Sequence, residues 1–157
     1  YTTYGWFKDI VDNVIGIVRY TEGIRCSVWY SKSAIGYRNG LRIRIYGDKK
    51  GAEWYQMNPE ELHIYTIEGE HFIIDRASRG VKVASQDRYN RFKAGHPDGF
   101  IEAFANLYVD IADSLIEYKE KGEWSSPYVL GIDLALEGMR LLDAFSISVK
   151  NKGWVNI

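Results

Sequence analysis

The sequence predicts an α+β fold: an open, mainly antiparallel β-sheet with two long helices packed on one face. Three observations predict it. Short runs of β-branched and aromatic residues, separated by glycine-containing turns, fill the chain as far as Asp75. A stripe of apolar residues at spacings of three and four follows, Phe100, Phe104, Leu107, Tyr108, Ile111 and Leu115, and a second stripe runs through Ile132, Leu136, Met139, Leu142 and Phe145. Strands first and helices afterwards favour a two-layer sandwich over a wound parallel sheet.

After a short lead with Trp6 and Phe7, residues 11–20 and 24–33 read as a hairpin about Thr21, Glu22 and Gly23. In the second run Ile24, Cys26, Val28 and Tyr30 alternate with Arg25, Ser27, Trp29 and Ser31, the period of a half-buried strand. Past the loop Gly36–Gly40, Leu41, Ile43 and Ile45 alternate with Arg42, Arg44 and Tyr46. Residues 52–57, 62–67 and 71–75 follow as strands of an antiparallel meander separated by tight turns. Residues 76–93 carry no regular pattern. The first helix is expected to open at Pro97 and Asp98, with His96 at its mouth, to bury the Phe100 stripe and to leave Glu102, Asn106, Asp110 and Asp113 wet. The second is expected over 129–150 with its stop near Gly153, and residues 154–157 as a strand returning to the sheet.

Length and aromatic content suit one domain over residues 1–157. Twenty basic residues against 21 acidic ones, interspersed, leave no field for a phosphate backbone, so a nucleic-acid partner is not expected. No apolar run has the length of a membrane span, and one cysteine makes no internal disulfide, which together suggest the cytoplasm. The chain opens at Tyr1 in polar and aromatic sequence, as a fragment of a longer protein would.

Neither the dinucleotide pattern G-x-G-x-x-G nor the phosphate loop G-x-x-x-x-G-K-[ST] occurs. Cys26 reads as a core residue. His63 and His71 fall on adjacent strands, but two imidazoles without a third ligand read as surface residues, so no metal is expected. Asp110 and Asp113 share a helix side as carboxylates of a solvated face. Two features are more suggestive. The loop Tyr37, Arg38, Asn39 offers a phenol, a cationic fork and an amide that can hold a hydroxylated ligand, or is a plain polar turn. His96, between Gly95 and Pro97, either caps the helix or meets a bound hydroxyl. The outer sheet face would carry Arg25, Trp29, Arg42, Arg44 and Tyr46, with Trp54 or Tyr55 according to register, as an interface or as a solvated surface.

Three segments in order, the G-x-R-N-x-L loop and strand at Gly36–Leu41, the turn IYGDKKGAEW at 45–54, and GHPDGF at 95–100, resemble the C-terminal domain of the glucose-fructose oxidoreductase, inositol dehydrogenase and rhizopine-catabolism (Gfo/Idh/MocA) family. The resemblance covers residues 11–157. It implies a parent enzyme whose N-terminal Rossmann domain holds NAD or NADP and which oxidises a sugar or polyol hydroxyl, or runs the reverse reduction. The family's E-K-P lysine and D-x-x-x-H pair are not found: Pro59, Ile67 and Phe92 stand four residues before the three histidines. Catalytic and cofactor-binding groups are therefore expected upstream of this chain. What the resemblance carries over is a substrate wall at His96, Tyr37, Arg38 and Asn39, and homo-oligomer contacts on the open sheet face. A self-sufficient, non-catalytic carbohydrate-binding or dimerisation module is the alternative.

Overall fold

The structure is a computed structural model and describes residues 2–3 and 10–157. In chain order these residues form strands β1 (Thr2–Thr3), β2 (Asn13–Arg19), β3 (Arg25–Ser31), β4 (Arg42–Tyr46), β5 (Lys50–Tyr55), β6 (Leu62–Thr66) and β7 (His71–Ile74), then helices α1 (Phe100–Lys121) and α2 (Ile132–Asn151). They group into two compact units, Tyr1–Tyr37 with Leu130–Ile157, and Arg38–Val129. All strand pairing is antiparallel, as expected, but the strands form two sheets, ordered β1-β2-β3 and β4-β5-β6-β7. The lead containing Trp6 and Phe7 lies outside the described residues.

In the first unit the hairpin turns at Gly23, whose φ of 85° is a conformation that glycine adopts without steric cost. Its register opposes Val14 to Tyr30, Gly16 to Val28 and Val18 to Cys26, which puts these six residues on one face. Helix α2 meets that face through Phe145, whose ring stands where a Cβ on Gly16 would project. Val14 and the helical Ala144 are both buried. The helix ends on Lys152 in the left-handed conformation, φ 53°, one residue before the glycine expected to stop it. Residues 154–157 form no strand, contrary to expectation. Trp154 instead comes back to β2 through its side chain, with the Arg19 guanidinium 4.1 Å above the ring.

In the second unit the four-stranded meander has two unlike faces. Cross-strand register places Arg44 beside Glu53 and Glu53 beside His63, with Arg42 opposite Tyr55 and Tyr65 opposite His71. The polar face therefore carries Tyr55, and Trp54 joins Ile43, Leu62 and Ile74 on the other. Glu53 receives both neighbouring arginines, at 3.5 Å from Arg42 Nε and 2.9 Å from Arg44 Nε. The five residues expected on one outer face are thus divided, Arg25 and Trp29 on the first sheet and Arg42, Arg44 and Tyr46 on the second.

Helix α1 reverses an expectation. Its N-cap is Gly99, whose N–H donates to Glu102 Oε2 at 2.9 Å, so Pro97 and Asp98 precede the helix rather than open it. Gly122, φ 73°, closes it by donating to the Tyr118 carbonyl at 2.7 Å. The buried positions are Asp110, 6 % exposed, and Ser114, with Glu102, Asn106 and Glu117 half-buried on the same side. Phe100, Phe104, Leu107, Tyr108 and Leu115 are exposed. The polar side is the inward one because the segment before the helix supplies partners for it.

Candidate functional site

His96 stands on a turn that chemistry rather than regular structure holds in place. Gly95 has φ 93°, and the His96 N–H closes the turn on the Lys93 carbonyl at 3.0 Å. Two residues beyond β7, Arg76 is 7 % exposed, and its guanidinium donates to the Asp98 carboxylate, to the His96 carbonyl at 2.6 Å and to the Lys93 carbonyl at 3.3 Å. Its Nε lies 3.4 Å from Glu60 Oε2, while Glu60 Oε1 accepts the Asp98 N–H at 3.2 Å. One buried cation thus binds two carboxylates and two backbone carbonyls on both sides of Pro97, a fork geometry that lysine does not offer. The imidazole itself is exposed, with Nδ1 3.3 Å from the Lys93 carbonyl oxygen.

Arg38 and Asn39 share the second unit with His96, and both are exposed; the Arg38 carbonyl accepts the Gly40 N–H at 2.6 Å. Tyr37 is the last residue of the first unit. There it packs edge-on against Trp29, with ring centroids 5.4 Å apart at 75°, and Trp29 is held by its Nε1–H donating to Asn13 Oδ1 at 2.9 Å. A residue expected at an interface and one expected at the substrate wall are neighbours, and both rings are exposed.

Sequence reasoning missed Arg76 and Glu60, and placed Asp110 on the wrong side of its helix. Tyr89 Oη donates to Asp110 Oδ2 at 2.7 Å, and Arg88 pairs with Asp110 and, at 3.0 Å, with Asp113. The Arg88 guanidinium also lies over the rings of Tyr89 and Tyr128 at 5.4 and 5.1 Å. Burial first, then the hydrogen bond to Asp110, push the Tyr89 phenol up to about 12, so it stays neutral as a donor. The available signal was the basic and aromatic character of the segment before the helix, which local periodicity does not connect with a helix side more than twenty positions on.

His63 Nδ1 lies 2.9 Å from His71 Nε2, and Glu61 lies 3.3 Å from His63 Nε2. The ring centroids are 5.1 Å apart, which is close to the length of an in-line N–H···N bond between nearly coplanar rings. The carboxylate beside His63 Nε2 favours a proton there, making Nδ1 the acceptor and His71 the donor. Among the described residues no group of three or more His, Cys, Asp or Glu is placed to hold a metal ion, and no helix is long and apolar enough to cross a membrane.

Residues 4–157 match the family model described as the oxidoreductase family C-terminal alpha/beta domain. The chain is 32% identical over 138 residues to the uncharacterized oxidoreductase YfiI of Bacillus subtilis (strain 168), covering 84% of this chain and 34% of that protein. An oxidoreductase from Sinorhizobium meliloti superposes with a TM-score of 0.79 at 32% identity, covering 98% of this chain and 44% of that one. An inositol dehydrogenase homolog from Azotobacter vinelandii, solved with NADH and myo-inositol, gives a TM-score of 0.64 at 28% identity over 71% of this chain and 29% of its own. The chain therefore spans less than half the length of these relatives. The fold and the family match agree, and the chain belongs to the Gfo/Idh/MocA oxidoreductase family as its C-terminal α/β domain.

Proposed function

We propose that this domain supplies substrate contacts and subunit contacts to an NAD(P)-dependent oxidoreductase that acts on a sugar or polyol hydroxyl. The observation that carries the reading is the exposed His96 imidazole on a turn pinned by the buried Arg76. An imidazole on a pinned turn offers one donor or one acceptor to a hydroxyl, the task of a substrate wall. Arg38 and Asn39, in the same unit as His96, add donors. The Azotobacter vinelandii homolog solved with myo-inositol supports the substrate class, and a cytoplasmic site of action suits a chain with one cysteine.

The residues present do not fit the dinucleotide. Both helix N-caps among the described residues are single glycines, Gly99 and Gly131, without the glycine-rich strand-to-helix turn that cradles a pyrophosphate. NAD or NADP accordingly belongs to another part of the full-length protein, and this domain holds and orients the polyol. The Arg42, Arg44 and Tyr46 face of the second sheet is assigned to homo-oligomer contact. The test is the steady-state kinetics of the full-length protein with NAD(P)⁺ and polyols. His96→Ala is expected to raise KM for the polyol about 10-fold, with KM for the nucleotide unchanged. Equal polyol KM values in both proteins would remove His96 from the substrate wall.

The exposed Trp29–Tyr37 pair favours a second reading, a non-catalytic carbohydrate-binding module that works without a nucleotide partner. It predicts sugar binding that Trp29→Ala abolishes, in a protein that lacks NAD(P)⁺-dependent turnover.

A further inference from the structure

We infer that Arg76 is a positioning residue for His96: it sets where the imidazole stands, and so the affinity for the hydroxylated substrate, without touching substrate itself. This rests on the reading of His96 as a substrate contact. The guanidinium is buried and receives no solvent-facing role, yet it binds the carbonyl of His96 itself at 2.6 Å and that of Lys93 at 3.3 Å, the same oxygen that closes the His96 turn. On the far side of Pro97 it binds the Asp98 carboxylate, and Asp98 is joined through its N–H to Glu60. The turn is therefore fixed before and after the histidine by one side chain that enters from the end of β7.

Physical chemistry explains why an arginine does this. A turn with a left-handed glycine has no ladder to hold it, and its inward carbonyls need donors. Arginine supplies five N–H donors in a plane and keeps its charge, so two carbonyls and two carboxylates can share it. Lysine, a single ammonium, reaches only part of the set. The device ties the turn that carries the exposed imidazole to the end of β7, and an error on the order of 1 Å at such a group can cost on the order of 100-fold in a bound reaction.

The experiment uses the full-length protein with NAD(P)⁺ and myo-inositol as probe, in wild type, Arg76→Met, Arg76→Lys, His96→Ala and the double variant Arg76→Met/His96→Ala. A second readout is the histidine ring NMR spectrum, with the His96 signals assigned by their loss in His96→Ala. Arg76→Met is expected to raise KM for the polyol about 10-fold with kcat within about threefold, and to shift or broaden the His96 signals while those of His63 and His71 stay. Arg76→Lys is expected to fall between wild type and Arg76→Met, and it serves alone if Arg76→Met fails to fold. The double variant is expected to match His96→Ala. An additive loss in the double variant, or His96 signals unmoved in Arg76→Lys and Arg76→Met alike, would overturn the inference. If His96→Ala leaves KM unchanged while the His96 signals still move with Arg76, the substrate reading fails and the positioning role stands.

Discussion

Tyr89 Oη donates to Asp110 Oδ2 at 2.7 Å, and this bond ties an irregular segment to the inward side of α1. Arg88 adds a charged contact to the same carboxylate, so the helix is docked by a salt bridge and a phenol rather than by its apolar stripe. Replacing Asp110 by alanine leaves Tyr89 and Arg88 without their shared acceptor. The expected loss is about 2–3 kcal/mol, read by urea unfolding. A change below about 0.5 kcal/mol would place the docking elsewhere.

The same pair predicts a pH dependence. The Tyr89 phenol is raised to about 12 from an ordinary value of 10, by burial first and the bond to Asp110 second. A raised folded-state pKa stabilises the protein fully below the unfolded value, and that contribution fades as pH climbs from about 10 to about 12. Absorbance at 295 nm should show one tyrosine that ionises late. Tyr89→Phe should remove that late step and flatten the alkaline fall in stability.

Gly16 and Phe145 make a packing prediction. A Cβ at position 16 would collide with the edge of the Phe145 ring, so Gly16→Ala must push the ring or the strand aside, at a cost of about 1–3 kcal/mol in thermal or urea unfolding. Trimming the ring in Gly16→Ala/Phe145→Leu should recover part of that loss relative to the sum of the single variants. Strict additivity would show that α2 does not meet β2 through this contact.

The face of the second sheet predicts an assembly effect. Arg44 pairs with Glu53 at 2.9 Å, and the neighbouring carboxylate raises the arginine pKa, so Arg44→Glu puts two carboxylates side by side on the proposed contact surface. Light scattering of the full-length protein should show a smaller oligomer for the variant, with its circular dichroism kept. An unchanged mass would mean that this face is solvated.

How much of this was legible before the fold was known follows from the range of each interaction. Ile43 and Ile45 alternating with Arg42 and Arg44 made β4 readable, because a strand's period is carried by its own residues. The hairpin at Gly23 and the two helices were readable for the same reason. The orientation of α1 was not: an amphipathic stripe says that a helix has two sides, and the choice of the inward one was made by Arg88 and Tyr89, some twenty positions earlier. The composition of residues 154–157 favours a strand, whereas Trp154 meets Arg19, 135 positions away, through a cation–π contact that no local pattern carries. His96 was visible as a residue beside a turn. The clamp that gives it a fixed place was not, since Arg76 lay in a stretch without periodicity and its partners Glu60 and Asp98 lie 16 and 22 positions away on either side.

Titrating the full-length protein with myo-inositol while following the His96 ring signals by NMR shows whether His96 meets a hydroxylated substrate. Saturable shifts of the His96 signals are expected, absent in His96→Ala, with His63 and His71, paired with neighbours on the second sheet, unmoved. Saturable binding of the polyol that leaves the His96 signals where they were would remove His96 from the substrate wall.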